Sequence, residues 1–450
     1  MAKQIKQIQQ GGLRRRLALG AAGARSGLGL LGSRASGLLV PKDEQQAHHD
    51  AALEREAMRF VAHLGELKGA YVKIGQMMAL YGEHLLPKPI TKALHTLEHQ
   101  TCSIEWPAIE AQLRQELGES FDQLKIEHQA FAAASLAQVH KARDLNTNEL
   151  ICLKVQYPGI ADAIDGDFDS VVQMLKLARW LKTGREVEQF TEQLKVLLLQ
   201  EVDYSREQAS MQQIDALIHD DDVLRIPKVY SNYSSPRCLA MEYIDGYAVN
   251  DPMVLTLSQE RRNKLAKSML RLFFKEVFDW GVMQTDPNFG NYRIRLNDDG
   301  HDELVLLDFG AVHELPQSFT KPLQRAIVAA YNNNHTDLIA ALIELHCLRT
   351  TDTESVKQSF AEFCCFIIEP FREDFSSLPA HAHEGDLYNW KDSRLLRRAG
   401  KLGSKSLLVK GFVMPPQEFM LLVRKLTGVF TFVSTLDARI NSADIIKPYL

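Results

Sequence analysis

The stretch "FAAASLAQVHKARDLNTNELICLKVQ", residues 131–156, decides the fold because two short strand-like runs in it flank a turn. The runs are "LAQVHKARD" and "ELICLKVQ", and "LNTN" between them consists of turn-forming residues. In the second run Ile151, Leu153 and Val155 share one face, whereas Lys154 lies on the other. The pattern predicts two strands joined by a turn, with a lysine on the second strand and an alanine-rich loop before the first.

Helical periodicity dominates on both sides of this strand-rich segment. Apolar residues recur at helical spacing from Asp43 to about Leu86. After Leu257 the chain is mostly helical, interrupted by "MQTDPNFGNYRI" and "ELVLLDFG". A small strand-rich part followed by a larger helical part predicts an α+β protein with two lobes. We expect four regions: a basic Gly/Arg-rich tail (1–42), a helical extension (43–120), a strand-rich N-lobe with a helical insert (121–245) and a helical C-lobe (246–450).

Charge is distributed unevenly along the 450 residues. The net charge is −5, yet residues 1–42 carry eight Lys and Arg and no acid, so the rest of the chain is strongly acidic. This argues against nucleic-acid binding by the body of the protein. The tail composition is compatible with a disordered segment, with a segment that contacts an anionic membrane surface, or with an organellar transit peptide.

Cysteine usage and hydropathy bear on the compartment. Six cysteines in a chain of this length show neither a disulfide framework nor metal-ligand spacing, which indicates a reducing compartment. No apolar run approaches the roughly 18 residues of a membrane-spanning helix. In a bacterium we expect a cytoplasmic protein, with a peripheral position on the inner membrane as the alternative. In a eukaryote we expect a mitochondrial protein.

Polar residues in a fixed order after the alanine-rich loop indicate phosphoryl transfer, in which a protein mainly positions groups and neutralises charge. Lys154 can reach the α- and β-phosphates of a nucleotide, and a glutamate on a helix should hold it in place. Glu207 in "EVDYSREQAS" is the favoured partner, with Glu201 as the alternative. Asp286 and Asn291 in "TDPNFGN" are five residues apart, which is the spacing of the kinase catalytic loop.

The same order assigns the remaining roles. Asp286 would orient or deprotonate the attacking hydroxyl or water, while Asn291 and Asp308 would hold magnesium. A strand leads into the hinge between the lobes, where backbone groups could bind an adenine at Met241, Glu242 and Tyr243. The predicted cofactors are ATP or ADP with Mg²⁺.

Two further motifs, taken with the alanine-rich loop, resemble those of a known family. "YVKIGQMM" contains Lys73, Gly75 and Gln76, and "QEVDYSRE" contains Glu201 and Asp203. Together with the "FAAAS" loop, these motifs resemble the UbiB-type (aarF-domain-containing) atypical kinases, which are linked to coenzyme Q (ubiquinone) biosynthesis. The resemblance runs from about residue 45 to about residue 440, and "MQTDPNFGN" looks closer to the mitochondrial members than to the bacterial "HADPHPGN" form.

The resemblance implies that the helical extension packs over the active site and that Lys73 meets the acidic motif there. It implies an ATPase, or a phosphotransferase acting on a small or lipid molecule, that supports ubiquinone biosynthesis at a membrane surface. The implied partners are a quinone-precursor lipid, an anionic membrane and ubiquinone biosynthesis proteins. A non-catalytic nucleotide-sensing scaffold is the alternative. A true protein kinase is disfavoured, because Thr285 stands where such kinases have arginine and no Ala-Pro-Glu motif follows "DFG".

Alanine in place of glycine should stiffen the nucleotide loop. Glycine permits positive φ and a close approach of backbone N–H groups to phosphate, and the Cβ of alanine restricts both. Ala132, Ala133 and Ala134 should therefore make a less enveloping loop, to which Ser135 adds one hydroxyl contact. The family resemblance implies that such alanines alter nucleotide selectivity and suppress adventitious phosphorylation. Ala137 departs from the glycine that is usual in the family.

Overall fold

The computed structural model describes residues 3–5, 45–82, 85–99, 102–181, 184–219, 221–376, 378–407 and 415–450. Apart from Lys3–Ile5, the basic tail expected at residues 1–42 lies outside the described residues. The chain divides into two compact units, Met1–Ala209 with Lys228–Tyr243, and Ser210–Pro227 with Ile244–Leu450. The four regions expected from the sequence stay predictions.

Short strands occur throughout the described chain. In chain order they are β1 (Lys3–Ile5), β2 (Cys102–Ile104), β3 (Leu124–Ile126), β4 (Ala132–Ala133), β5 (Ala137–Asp144), β6 (Leu150–Gln156), β7 (Leu224–Arg225), β8 (Cys238–Glu242), β9 (Val282–Gln284), β10 (Tyr292–Arg295), β11 (Glu303–Leu306), β12 (Val312–Glu314), β13 (His383–Glu384), β14 (Leu387–Asn389) and β15 (Arg439–Ile440).

Helices make up most of the remainder. In chain order they are α1 (Gln45–Leu67), α2 (Ala70–Tyr81), α3 (Lys88–Leu94), α4 (Trp106–Leu117), α5 (Ile160–Leu177), α6 (Arg185–Glu201), α7 (Tyr204–Ile218), α8 (Pro252–Leu255), α9 (Gln259–Phe274), α10 (Gln317–Tyr331), α11 (His335–Glu344), α12 (Glu354–Ile367), α13 (Leu395–Leu407), α14 (Gln417–Thr435) and α15 (Ala443–Ile446). None of the helices that the structure describes combines the length and the hydropathy needed to cross a membrane.

The main sheet of the first unit has the strand order β3-β5-β6-β8, all antiparallel, and β4 pairs with β5. Ile151, Leu153 and Val155 are fully buried, as their alternation in β6 predicts. The turn between β5 and β6 is closed by Asp144, whose carboxylate accepts the N–H of Asn146 at 2.7 Å. The predicted pair of strands and the turn between them are therefore present.

Helix α2 of the extension is largely buried, and Gly75 allows it to pack closely on its neighbours. A Cβ on Gly75 would lie 2.4 Å from Cδ1 of the buried Leu97. The hydroxyl of Tyr71, also on α2, donates to Oδ1 of Asp167 on α5 at 2.7 Å. Both side chains are buried, so this bond joins the extension to the helix that follows the sheet.

The second unit is mainly helical. Its described strands include two three-stranded sheets, with the orders β10-β11-β7 and β13-β14-β15. The parallel pairing of β7 with β11 explains why Ser210–Pro227 groups with this unit. Helix α9 ends in a single π-helical turn, Lys275–Asp279. Such turns are rare and often mark functional sites. Strand β9, which leads into "TDPNFGN", follows this turn directly.

Replacing Tyr71 with phenylalanine should destabilise the first unit. The change removes a hydrogen bond to a buried carboxylate, and bonds to charged groups contribute roughly 1.5–3 kcal/mol. We expect a fall of that size in the free energy of unfolding measured in urea. Adding Asp167→Asn should recover part of the loss, because a neutral amide costs less to bury. Equal stability of Tyr71→Phe and wild type would contradict this role for the bond.

Candidate active site

Lys154 is held by Glu207 in the first unit. Nζ of Lys154 lies 2.7 Å from Oε1 and 2.8 Å from Oε2 of Glu207, which is on α7. The Glu207 side chain is 2% exposed and that of Lys154 is 19% exposed, so the carboxylate is nearly dry and the ammonium keeps one accessible side. Nζ also lies 5.1 Å from the ring centroid of Tyr204. Of the two acids considered from the sequence, the structure thus brings Glu207 to Lys154.

The other acid pairs with the extension. Lys73 on α2 forms an ion pair with Glu201, the last residue of α6. Asp203 precedes α7, and its carboxylate accepts the N–H of Ser205 at 3.1 Å, which satisfies one of the free donors at the helix start. Nε2 of Gln76 donates to the carbonyl of Leu97 at 3.0 Å. The lysine of the extension therefore meets the acidic motif as the resemblance implied, through Glu201.

The alanine-rich loop is a tight hairpin. Ala132 and Ala133 pair with Val139 and Gln138, and the N–H of Ala134 donates to the carbonyl of Ala137 at 2.8 Å. The non-glycine residues of the described chain that take positive φ all lie elsewhere. These alanines therefore sit in conformations that need no glycine, in accord with a stiff loop.

One side chain outside the hairpin supports it. The hydroxyl of the buried Tyr157 donates to the carbonyl of Ala134 at 2.9 Å. Ala137 is 2% exposed and lies in regular strand, opposite Gln156. The departure from the family glycine thus costs nothing in backbone strain. Ser135 is half-buried in the turn.

In the hinge segment, two backbone N–H groups already have partners within the first unit. The N–H of Glu242 donates to the carbonyl of Lys228 at 2.8 Å, and the N–H of Tyr243 donates to that of Leu150 at 3.0 Å. Both donors are committed to neighbouring strands, so adenine binding there would have to use other groups. Met241 is buried in β8.

The side chain of Tyr243 belongs to a cluster that the sequence analysis missed. Nζ of Lys141 donates to its hydroxyl at 3.0 Å and lies 4.1 Å from its ring centroid. The same ammonium lies 4.4 Å from the ring centroid of Phe131. This cluster fixes the entrance to the alanine hairpin against the end of β8.

The catalytic-loop residues come together in the second unit. Oδ2 of Asp286 accepts from Nδ2 of Asn291 at 2.9 Å, and Oδ1 accepts from Nη2 of Arg424 at 2.7 Å. The carbonyl of Asp286 accepts from Nε2 of Gln284 at 2.7 Å. Three side chains therefore fix the position of this aspartate.

The donors proposed for magnesium lie at one end of a hairpin. Strand β10 begins one residue after Asn291, and the N–H of Leu307 donates to the carbonyl of Asn291 at 2.9 Å, which places Asp308 next along the partner strand. Oδ1 of Asp308 accepts the N–H of Gly310 at 3.0 Å. The described residues include no group of three or more His, Cys, Asp or Glu that could bind a metal by itself. One amide and one carboxylate suit Mg²⁺, which takes few protein ligands and completes its shell with phosphate and water.

Helix α14 supplies three functional residues that the sequence analysis missed. Besides Arg424, it carries Lys425, which is 1% exposed and lies with Nζ 2.8 Å from Oε2 of Glu276 in the π turn. Desolvation is the largest single influence and disfavours the charged form, but the Glu276 carboxylate and the Tyr292 hydroxyl together outweigh it and raise the pKa of Lys425. A Cβ on Gly428 would lie 2.0 Å from Cβ of Pro287. In the sequence, the adjacent basic residues Arg424 and Lys425 look like part of a solvated helix face. The only available sign of their role was that Arg424 and Gly428 are one helical turn apart and therefore share a face.

Comparison with known proteins identifies the family. The model of the ABC1 atypical kinase-like domain matches residues 96–342, which is more than half of the chain. The chain belongs to the ABC1 atypical kinase-like family. This confirms the resemblance drawn from the motifs and the atypical-kinase prediction. Membership also implies nucleotide use.

Individual relatives agree with this family assignment. The mitochondrial atypical kinase COQ8 of Saccharomyces cerevisiae is 26% identical over 401 residues, which cover 88% of this chain and 76% of the yeast protein. The mitochondrial COQ8B of Rattus norvegicus is 30% identical over 397 residues, covering 88% and 72%. The Rv3197–erythromycin complex from Mycobacterium tuberculosis matches with a TM-score of 0.59 at 22% identity, over 91% of this chain and 98% of that one. The kinase-like α+β fold is thereby confirmed.

Adding one methyl group at Gly428 should disturb the catalytic loop. The new Cβ would overlap the rigid ring of Pro287, and overpacking costs about 1–3 kcal/mol. We expect Gly428→Ala to lower the free energy of unfolding by such an amount in urea. Gly400→Ala is the matched control, because a Cβ there meets nothing within 4 Å and gains up to about 1 kcal/mol of helix propensity. If the two variants were equally stable, the contact between residue 428 and Pro287 would adjust to the added methyl group without a measurable cost.

Proposed function

We propose that this protein binds ATP or ADP with Mg²⁺ and either hydrolyses ATP or transfers its γ-phosphoryl group to a small or lipid molecule. The observation that carries the proposal is the pairing of Lys154 with Glu207. A strand lysine held by a helix glutamate is the arrangement with which kinases position the α- and β-phosphates. The second unit adds Asp286 and Asn291 with the spacing that catalysis requires.

Each group has a defined task in this proposal. Lys154 presents its accessible side to the phosphates, and Glu207 prevents the ammonium from moving away. Asn291 and Asp308 would hold Mg²⁺, which when bound neutralises charge on the phosphates. A carboxylate has about four acceptor positions, and Asp286 uses two on Arg424 and Asn291, so it can still accept from an acceptor hydroxyl or a water.

The biological role in the proposal follows from the likeness to the COQ8 proteins. We assign the chain to ubiquinone biosynthesis, with a quinone-precursor lipid, an anionic membrane surface and proteins of that pathway as partners. The relatives carry the description mitochondrial, which supports that compartment in a eukaryote. For a bacterium we propose a cytoplasmic protein that is peripheral on the inner membrane. The ion pair of Lys73 with Glu201 would keep the extension in place, where it disfavours a peptide substrate.

A second candidate function is a nucleotide-sensing scaffold without turnover. One observation favours it: both carboxylate oxygens of Asp286 accept a hydrogen bond or ion pair from a side chain of the protein itself. Such a site could bind nucleotide while the aspartate is restrained. Magnesium-dependent phosphate release, measured with and without anionic liposomes, separates the two functions. Nucleotide binding without release, in wild type and in an Ala133→Gly loop variant, would select the scaffold.

Neutralising Glu207 should impair nucleotide binding. Without the carboxylate the Lys154 ammonium is no longer held in place, so we expect Glu207→Gln to weaken MgATP binding at least tenfold, which corresponds to about 1.4 kcal/mol. Glu201→Gln is the matched control, because it makes the same change in the same unit on an acid that pairs with Lys73. Titration calorimetry gives both affinities, and circular dichroism checks folding. Equal losses in the two variants would refute the specific role of Glu207.

Removing Arg424 should reduce turnover more than binding. Positioned acids and bases contribute roughly 10²–10⁴-fold, and we expect Arg424→Ala to lower kcat by about tenfold to a hundredfold while MgATP affinity is retained. Arg424→Lys should rescue only in part, because lysine keeps the charge but not the planar geometry. Phosphate release and nucleotide binding are measured separately. A rise in kcat would instead show that Arg424 restrains Asp286.

A further inference from the structure

The helical unit contains an apolar cavity of about 480 Å³ that the proposed nucleotide chemistry does not use. Helices α9 to α14 all contribute to its walls, together with the π turn after α9. Among the described lining residues, only Cys364 and Thr427 have a heteroatom in the side chain. The hydroxyl of Thr427 already donates to the carbonyl of Val423 at 2.8 Å. The cavity surface is therefore almost entirely hydrocarbon.

The cavity is partly open to solvent and has the size of a ligand pocket. Protein interiors have few voids larger than a water molecule, whereas ligand pockets occupy roughly 300–1,000 Å³. The cavity is about three times as large as the roughly 150 Å³ apolar cavity known to admit benzene. None of the described lining residues is charged, so a nucleotide, a phosphate or a carboxylate would lose its hydration without compensation.

We propose that this cavity binds an uncharged ligand with a hydrocarbon body, and that helix α14 transmits its occupancy to Asp286. The lining selects the ligand class, because chains and rings of carbon are the groups that gain from contact with aliphatic and aromatic walls. The binding half of the proposal is independent of nucleotide chemistry. The coupling half rests on the proposed function of Asp286.

Helix α14 connects the cavity to Asp286 because some of its residues line the cavity and others contact the loop that carries Asp286. Val423, Leu426 and Phe430 line the cavity, while Arg424 holds Asp286 at 2.7 Å. Gly428 packs so closely on Pro287 that no methyl group fits between them. A shift of the helix on ligand binding would therefore move the partner of the aspartate.

The opposite wall is connected to the same loop. Val277 and Phe278 line the cavity from the π turn, and Glu276 in that turn pairs with the buried Lys425 of α14. The N–H of Gln284 in β9 donates to Oε1 of Glu276 at 3.3 Å. Two cavity walls thus meet at a buried ion pair adjoining the catalytic loop. A ligand that favours one arrangement of these walls would change the population of loop positions.

The test uses N-phenyl-1-naphthylamine, a neutral apolar probe whose fluorescence rises in hydrocarbon surroundings. We expect the full chain to bind it saturably and 1-dodecanol to displace it. Two variants fill the cavity from different helices, Ala330→Leu on α10 and Gly400→Leu on α13. A Cβ at Gly400 meets nothing within 4 Å, so the new side chain has room. Ala340→Leu, on the exposed face of α11 and outside the lining, is the matched control.

Both filling variants should lose at least tenfold in probe affinity, whereas the control should retain it. Thermal melts establish that the variants fold. If one filling variant does not fold, the other one provides the test. Unchanged affinity in a folded filling variant would place the probe elsewhere and overturn the binding half.

Coupling is read by hydrogen exchange of the amides of residues 282–291 and by phosphate release. In wild type we expect the probe to change the exchange rate and kcat at least twofold, with no effect in the filling variants. Probe binding in the cavity with no change in exchange would overturn the coupling half. If wild type releases no phosphate but exchange responds, the proposed catalytic function fails and the cavity inference stands.

Discussion

The ion pair between Lys154 and Glu207 is the constraint on which the first unit depends. A carboxylate that is 2% exposed is stable only with a partner, so burial of Glu207 requires the sheet and α7 to meet at Lys154. The two neighbouring acids have separate roles. Glu201 binds Lys73 of the extension, and Asp203 satisfies the start of α7. One short acidic segment therefore connects the extension, helix α7 and Lys154.

In the second unit, helix α14 holds Asp286 in position, as Glu207 holds Lys154 in the first unit. Protein kinases have an arginine just before the catalytic aspartate, and in this chain Thr285 occupies that place. An arginine reaches Asp286 all the same, from a helix 138 residues further along the chain. Lys425 and Gly428 complete the support, the first through a buried ion pair and the second through close packing on Pro287. A loop supported so fully by one helix can be rigid, and it also responds to whatever displaces that helix.

The alanine-rich loop shows how local geometry modifies a general mechanism. A glycine loop would bring backbone N–H groups toward phosphate, whereas here the N–H of Ala134 closes a hairpin onto Ala137. Tyr157 holds that hairpin from the sheet. The hinge donors at Glu242 and Tyr243 are likewise used within the unit. These contacts suit a protein whose nucleotide geometry differs from that of an ordinary protein kinase.

The sequence by itself determined the features that depend on neighbouring residues: the strands and turn around Lys154, the spacing of Asp286 and Asn291, and the family motifs. Strand alternation, turn chemistry and short spacings are properties of the local backbone, so they can be read without a fold. Only the tertiary structure decided between Glu207 and Glu201 as the partner of Lys154, and only it showed that Arg424 holds Asp286 and that the helices line a cavity. Those contacts join residues 53 to 138 positions apart, or arise from how whole helices pack, and no local periodicity encodes them.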